Sequence, residues 1–135
     1  MSIKLAIIGT GQLAQYFIPL FKAHPLVSEL ALCDLDAGKL RAAAEKFDVK
    51  RTYLSMEHAL NSGVDAVAIM TQHWLHAPQA VQALEACKHV YSAVPVGLTL
   101  EEIRSVIRAV EKSGRIYMMG ETSYYYPHVI YCREL

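Results

Sequence analysis

Apolar residues along the chain gather in six short runs, Ile3–Ile8, Glu29–Cys33, Arg51–Leu54, Ala66–Met70, His89–Ser92 and Ile116–Met119. Each has the length of a strand and is too short for a stable helix. Most of the intervals carry apolar side chains at helical spacing instead. Leu13, Phe17, Leu20 and Phe21 mark one face of the first interval, so that face is expected on the sheet. Pro19, which has no N–H to donate, is expected to kink or shorten this helix near its end. In the second interval Asp36 is placed to cap a helix lined by Leu40, Ala44 and Phe47. Ser55 caps a short helix of Met56, Ala59 and Leu60, which Asn61-Ser62-Gly63 ends. Pro78 belongs in the first turn of the next helix, whose inward residues are Ala77, Ala80, Val81 and Leu84. The last has a capping box from Thr99 and Glu102, an apolar face of Leu100, Ile103, Ile107 and Val110, and a stop at Gly114. Strand and helix in alternation predict an α/β fold: a doubly wound, mostly parallel sheet of about six strands with helices on both faces.

Composition narrows the class. A chain of 135 residues, 53% hydrophobic and 19% charged, fits one compact domain. Thirteen basic residues balance thirteen acidic ones, and no basic stripe is present, so nucleic acid is not an expected partner. No run reaches the roughly 18 apolar residues that cross a bilayer, and the first residues lack the pattern of a signal peptide. A cytoplasmic protein without a membrane partner is the expectation. Cys33, Cys87 and Cys132 are odd in number and far apart, which suggests reduced, mostly buried thiols rather than disulfides or a zinc site. His73 and His76 lie three apart with no carboxylate or cysteine at ligand spacing, so no metal site is expected there.

The chemistry concentrates at the first strand's exit. Gly9-Thr10-Gly11-Gln12-Leu13-Ala14 follows Ile3–Ile8 directly, and Asp34 closes the second apolar run. Gly9 permits a sharp turn, Gly11 lets a ligand approach the backbone, and Ala14 allows close packing of helix on strand. The helix beginning near Gln12 presents unpaired N–H groups and the positive end of its dipole, which suits a diphosphate. Asp34, with Leu35 after it, stands where an acidic side chain accepts hydrogen bonds from the adenosine ribose hydroxyls. Its charge favours NAD over NADP, while Lys39 and Arg41 nearby leave NADP open.

These motifs, taken in order, resemble the N-terminal domain of the Gfo/Idh/MocA oxidoreductases. The resemblance covers nearly the whole chain. It continues through Val64-Asp65-Ala66-Val67-Ala68-Ile69, Thr71-Gln72-His73-Trp74-Leu75-His76, Ala86-Cys87-Lys88-His89-Val90-Tyr91-Ser92-Ala93-Val94-Pro95 and Leu98-Thr99-Leu100-Glu101-Glu102. It implies a Rossmann domain over residues 1–120 that binds NAD through Gly9, Thr10, Gly11, Gln12, Leu13, Asp34 and Leu35. It also implies that the nicotinamide side lies near Thr71, Gln72, His76, Ala93 and Val94. The family's Thr-Pro-Asn-x-x-His loop keeps Thr71 and His76 here, with Gln72 and His73 in place of Pro and Asn.

Ala93-Val94-Pro95 departs further, for the family has Glu-Lys-Pro there and assigns its lysine to substrate binding and proton handling. Neither Ala93 nor Val94 can give or take a proton. Pro95 suggests a retained backbone path, with a cis bond before it. The resemblance further implies hydride transfer with a sugar, polyol or related small substrate, a second substrate domain, and a homo-oligomer when complete. Residues 121–135 read as the start of the connection to that domain, because a helix entered by Pro127 stops soon after it starts. Without that domain the chain is not expected to turn over substrate. Tyr124, Tyr126 or Glu121 could supply an acid–base group, and Tyr124, Tyr125 and Tyr126 read as interface residues. A nonenzymatic nucleotide sensor and a structural fragment that binds nothing stand as alternatives.

Overall fold

A computed structural model describes residues 2–135. The strands are β1 (Ile3–Ile8), β2 (Val27–Cys33), β3 (Arg51–Tyr53), β4 (Ala66–Ile69), β5 (His89–Ala93) and β6 (Tyr117–Gly120). The helices are α1 (Gln12–Ala23), α2 (Ala37–Phe47), α3 (Met56–Leu60), α4 (His73–Glu85), α5 (Leu100–Ser113) and α6 (Pro127–Glu134), with a 3-10 turn at Ser123–Tyr125. All six strands are parallel and run in the order β3-β2-β1-β4-β5-β6. The strand order reverses between β1 and β4, and open sheets of this kind bind ligands at the carboxyl ends beside that reversal.

Alternation along the strands sorts the core into two layers. Ala6, Ile8, Ala31, Cys33, Val67, Ile69 and Val90 face α3, α4 and α5. Leu5, Ile7, Leu32, Ala68 and Met70 face α1 and α2. Helices therefore cover both faces, as predicted. α4 meets the sheet through Ala77, Ala80 and Ala83, all buried, and their small side chains bring its backbone close.

The locally specified ends form as read. Asp36 accepts from the N–H groups of Gly38 and Lys39, and Ser55 from that of His58. Thr99 and Glu102 make the full capping box, and Gly114 closes α5 in the left-handed region at φ 64°.

Five readings need correction. On α1 the buried residues are Ala14 and Ile18, with Phe17 and Phe21 partly buried, while Leu13 and Leu20 face outward. The helix also runs on through Pro19 to Ala23, so the proline does not shorten it. On α5 Val106 and Ala109 are buried, and Leu100 and Ile107 are exposed, so the face is rotated from the one predicted. α4 begins at His73, which places Pro78 inside the helix and not in its first turn. Of the thiols only Cys33 is buried; Cys87 and Cys132 are exposed. Burial, and then the neighbouring Asp34 charge, push the Cys33 thiol up to about 11.

Candidate dinucleotide site

Four loops leave the carboxyl ends of β1, β2, β4 and β5 and lie side by side. The turn after β1 is fixed by its own backbone: the Gly9 N–H donates to the Cys33 carbonyl at 2.8 Å, and Gly9 holds φ at +91°. A Cβ on Gly9 would sit 2.9 Å from Thr71 Cγ2 and 3.0 Å from the Met70 carbonyl oxygen. Glycine is therefore required twice over, by dihedral and by space.

Gly11 is different. Its φ of −66° suits any residue, and a Cβ there would meet nothing within 4 Å. The α1 hydrogen-bond ladder opens with the Gln15 N–H donating to the Gly11 carbonyl at 3.2 Å. Among the described residues, the N–H groups of Gly11, Gln12 and Leu13 ahead of it find no acceptor. These amides and the open space over Gly11 form a cradle that a diphosphate fits and a side chain would fill.

Thr10 is drawn inward and is almost fully buried. Its N–H and hydroxyl both donate to Asp34 Oδ2 at 2.8 Å, and the Asp36 N–H donates to Oδ1 at 2.9 Å. Gly9 and Thr10 thus spend their donors within the protein, while Gly11, Gln12 and Leu13 of the predicted cradle of residues 9 to 13 keep theirs. Burial raises the Asp34 carboxyl. The N–H groups of Asp36 and Thr10, the Thr10 hydroxyl and the Lys39 charge outweigh it and hold the group below the usual carboxylate range. Asp34 is therefore an anion at neutral pH, and Oδ1, with one protein donor, keeps a lone pair for a ribose hydroxyl. Leu35 beside it is 83% exposed, free to cover an apolar ligand surface.

Across the reversal, Gln72 caps α4 without a side-chain bond, and the Thr71 hydroxyl donates to Gln79 Oε1 at 2.6 Å. Gln79 was absent from the sequence reading; its one signal was a polar residue between the inward Ala77 and Ala80. Ala93 is buried and Val94 half-buried, and the Val94–Pro95 bond is cis as expected. His76, read from the sequence as a cofactor contact, is turned into the protein. It lies in the first part of α4, 1% exposed, with Nδ1 2.8 Å from the Pro95 carbonyl oxygen and Nε2 3.0 Å from that of Thr71. Each ring nitrogen faces a backbone carbonyl oxygen, to which it donates where it carries a proton. Among the described residues no three His, Cys, Asp or Glu side chains are grouped to hold a metal.

These loops can be set beside known proteins. Residues 3–121 match the Gfo/Idh/MocA family, described as an oxidoreductase family with an NAD-binding Rossmann fold. The chain belongs to this family. Inositol 2-dehydrogenase of Salmonella typhimurium is 30% identical over 118 residues, covering 85% of this chain and 35% of that enzyme. The structure of scyllo-inositol dehydrogenase from Lactobacillus casei with bound NAD(H) and scyllo-inositol superposes with a TM-score of 0.89 at 22% identity, over 100% of this chain and 41% of that one. WlbA dehydrogenase from Bordetella pertussis, in complex with NADH and UDP-GlcNAcA, gives 0.91 at 23% identity, over 99% and 42%. At such identities the superpositions speak for the fold alone. This Gfo/Idh/MocA chain is an NAD-binding Rossmann domain that spans about a third of the length of the curated relatives it matches. No helix among its described residues is long and apolar enough to cross a membrane.

The predicted acid–base groups lie beyond β6. Glu121 accepts from the Ser123 N–H at 2.7 Å, and that bond, with the Ser123 hydroxyl, holds its carboxyl below the ordinary value. The Tyr124 ring is covered by the Arg133 guanidinium at 4.1 Å, and Tyr124, Tyr125 and Tyr126 are all exposed.

Proposed function

We propose that this chain is the cofactor-holding half of a dehydrogenase that moves hydride between NAD(H) and a sugar, polyol or related small substrate. The observation that carries the reading is the row of free amides at Gly11, Gln12 and Leu13, opening into empty space at the strand-order reversal. Bound there, the dinucleotide would supply the hydride-carrying ring. The chain's own part is to orient it: Gly11, Gln12 and Leu13 hold the diphosphate, and Asp34 takes a ribose hydroxyl with Leu35 alongside. Gly9 and Thr10 shape the turn from behind. Thr71, Gln72, Ala93 and Val94 flank the nicotinamide half. Inositol and UDP-sugar ligands of the relatives above support a polyhydroxylated substrate.

On this reading residues 1–120 form the binding domain and residues 121–135 begin the connection to a substrate domain. That domain, and further copies of the chain in a homo-oligomer, are the proposed partners. Val94 cannot exchange a proton, so the acid–base group comes from Tyr124, Tyr126, Glu121 or the second domain. The same valine favours a second reading, a nonenzymatic NAD sensor. Substrate-dependent change in NADH absorbance by a protein carrying both domains supports the enzyme, and cofactor binding without turnover supports the sensor.

Asp34 tests the ribose contact. Asp34→Ala is expected to weaken NAD binding about tenfold, the value of one hydrogen bond to a charged acceptor, and to narrow the preference over NADP. Fluorescence titration of both cofactors measures it, and an unchanged ratio would remove Asp34 from the site. Because its carboxyl is lowered in the folded state, its stabilising bonds are fully present above the ordinary carboxylate value. They are lost only as pH falls through its own lower one.

A further inference from the structure

Two loops bracket the nicotinamide half of the proposed site, Thr71–Gln72 after β4 and Ala93–Pro95 after β5. The first is braced from α4, and the chain beyond the second is held by the capping box of α5. Gln79 on α4 takes the Thr71 hydroxyl, and the Glu102 carboxylate accepts from the N–H groups of Leu98 and Thr99 at 2.6 and 3.2 Å. His76 joins the two. Its imidazole lies between the Thr71 and Pro95 carbonyls, 3.0 and 2.8 Å from its two nitrogens.

The approach is built into the backbone. A Cβ on Gly97 would lie 2.9 Å from Glu102 Cβ and 3.3 Å from Ala77 Cβ, so glycine lets the segment after Pro95 settle between α5 and α4. A rigid ring with nitrogens on two edges then bridges carbonyls from separate loops. A protonated ring donates to both, and a neutral ring to one of them. An aliphatic residue of the same size would fill the space and leave both carbonyls without that partner.

We propose that His76 is a positioning residue: it sets the separation of the two loops around the nicotinamide without touching the dinucleotide. This deepens the function proposed above and rests on it. It separates His76 from Asp34 and Gly11, which act on the adenosine and diphosphate half.

The test compares NADH with ADP-ribose, which has the same diphosphate and adenosine but no nicotinamide, on the wild-type chain, His76→Gln and His76→Leu. Thermal melts accompany each. The expected result is that His76→Leu loses about fivefold in NADH affinity while ADP-ribose affinity stays within about twofold, one hydrogen bond being worth about 1 kcal/mol. His76→Gln, which keeps an N–H donor, loses less and serves alone if the leucine variant fails to fold. Equal losses for both ligands, or no loss for either, would overturn the positioning role. Wild-type protein that binds neither ligand would overturn the proposed site itself, and the inference with it.

Discussion

Replacing Gly11 with leucine is expected to abolish NADH binding while the fold stands. The backbone there is ordinary, with φ at −66°, and the added Cβ would meet no atom within 4 Å. The cost to stability is that of exchanging a tolerable N-cap residue for a poor one, less than about 1 kcal/mol. The leucine side chain, however, enters the space over the free amides of Gly11, Gln12 and Leu13, where the diphosphate has to lie. A loss of at least about a hundredfold in affinity follows, equivalent to about 2.7 kcal/mol. Fluorescence titration alongside a thermal melt separates the two effects. Retained affinity would show that this space is not where the ligand sits.

Gly9, two residues earlier, should behave in the opposite way. Gly9→Ala forces a side chain into the left-handed region at φ +91° and drives its Cβ against Thr71 Cγ2 and the Met70 carbonyl. Strain at such a dihedral costs about 1–3 kcal/mol, and overpacking against backbone adds a similar amount. The expected destabilisation is about 3 kcal/mol, read by urea denaturation, and a change under about 1 kcal/mol would refute the packing described. One glycine shapes the turn and the other keeps it open.

Much of the fold was legible because its signals are local. The caps at Asp36, Ser55 and Thr99 depend on residues two or three positions away, and the strands on short apolar runs. Helix faces were read less well. Large apolar residues mark a periodicity, but Ala14 on α1 and Ala109 on α5 lie against the body of the domain while Leu20 and Leu100 do not. Close packing rewards the small side chain, which a reading weighted by hydrophobicity passes over. α4 starts five residues before Pro78 because Gln72, not the proline, sits at its cap.

The site divides in the same manner. The places of Gly9, Gly11 and Asp34 at the exits of β1 and β2 were legible from spacing, since a strand, a turn and a helix leave few other geometries. The inward turn of Thr10 onto Asp34 spans 24 positions, and the bond of His76 to Pro95 spans 19. Such links exist only once β1 lies between β2 and β4, and β5 beside β4. The sequence could therefore place His76 after β4 but not say that it is buried between two carbonyls.

The central claim, that the amides opening α1 receive the diphosphate, is tested most directly by amide NMR of the chain during titration with NAD. The account predicts saturable shifts that are largest at the N–H groups of Gly11, Gln12 and Leu13, accompanied by Asp34 and Leu35. Shifts that leave residues 11 to 13 unmoved at saturating NAD would contradict it.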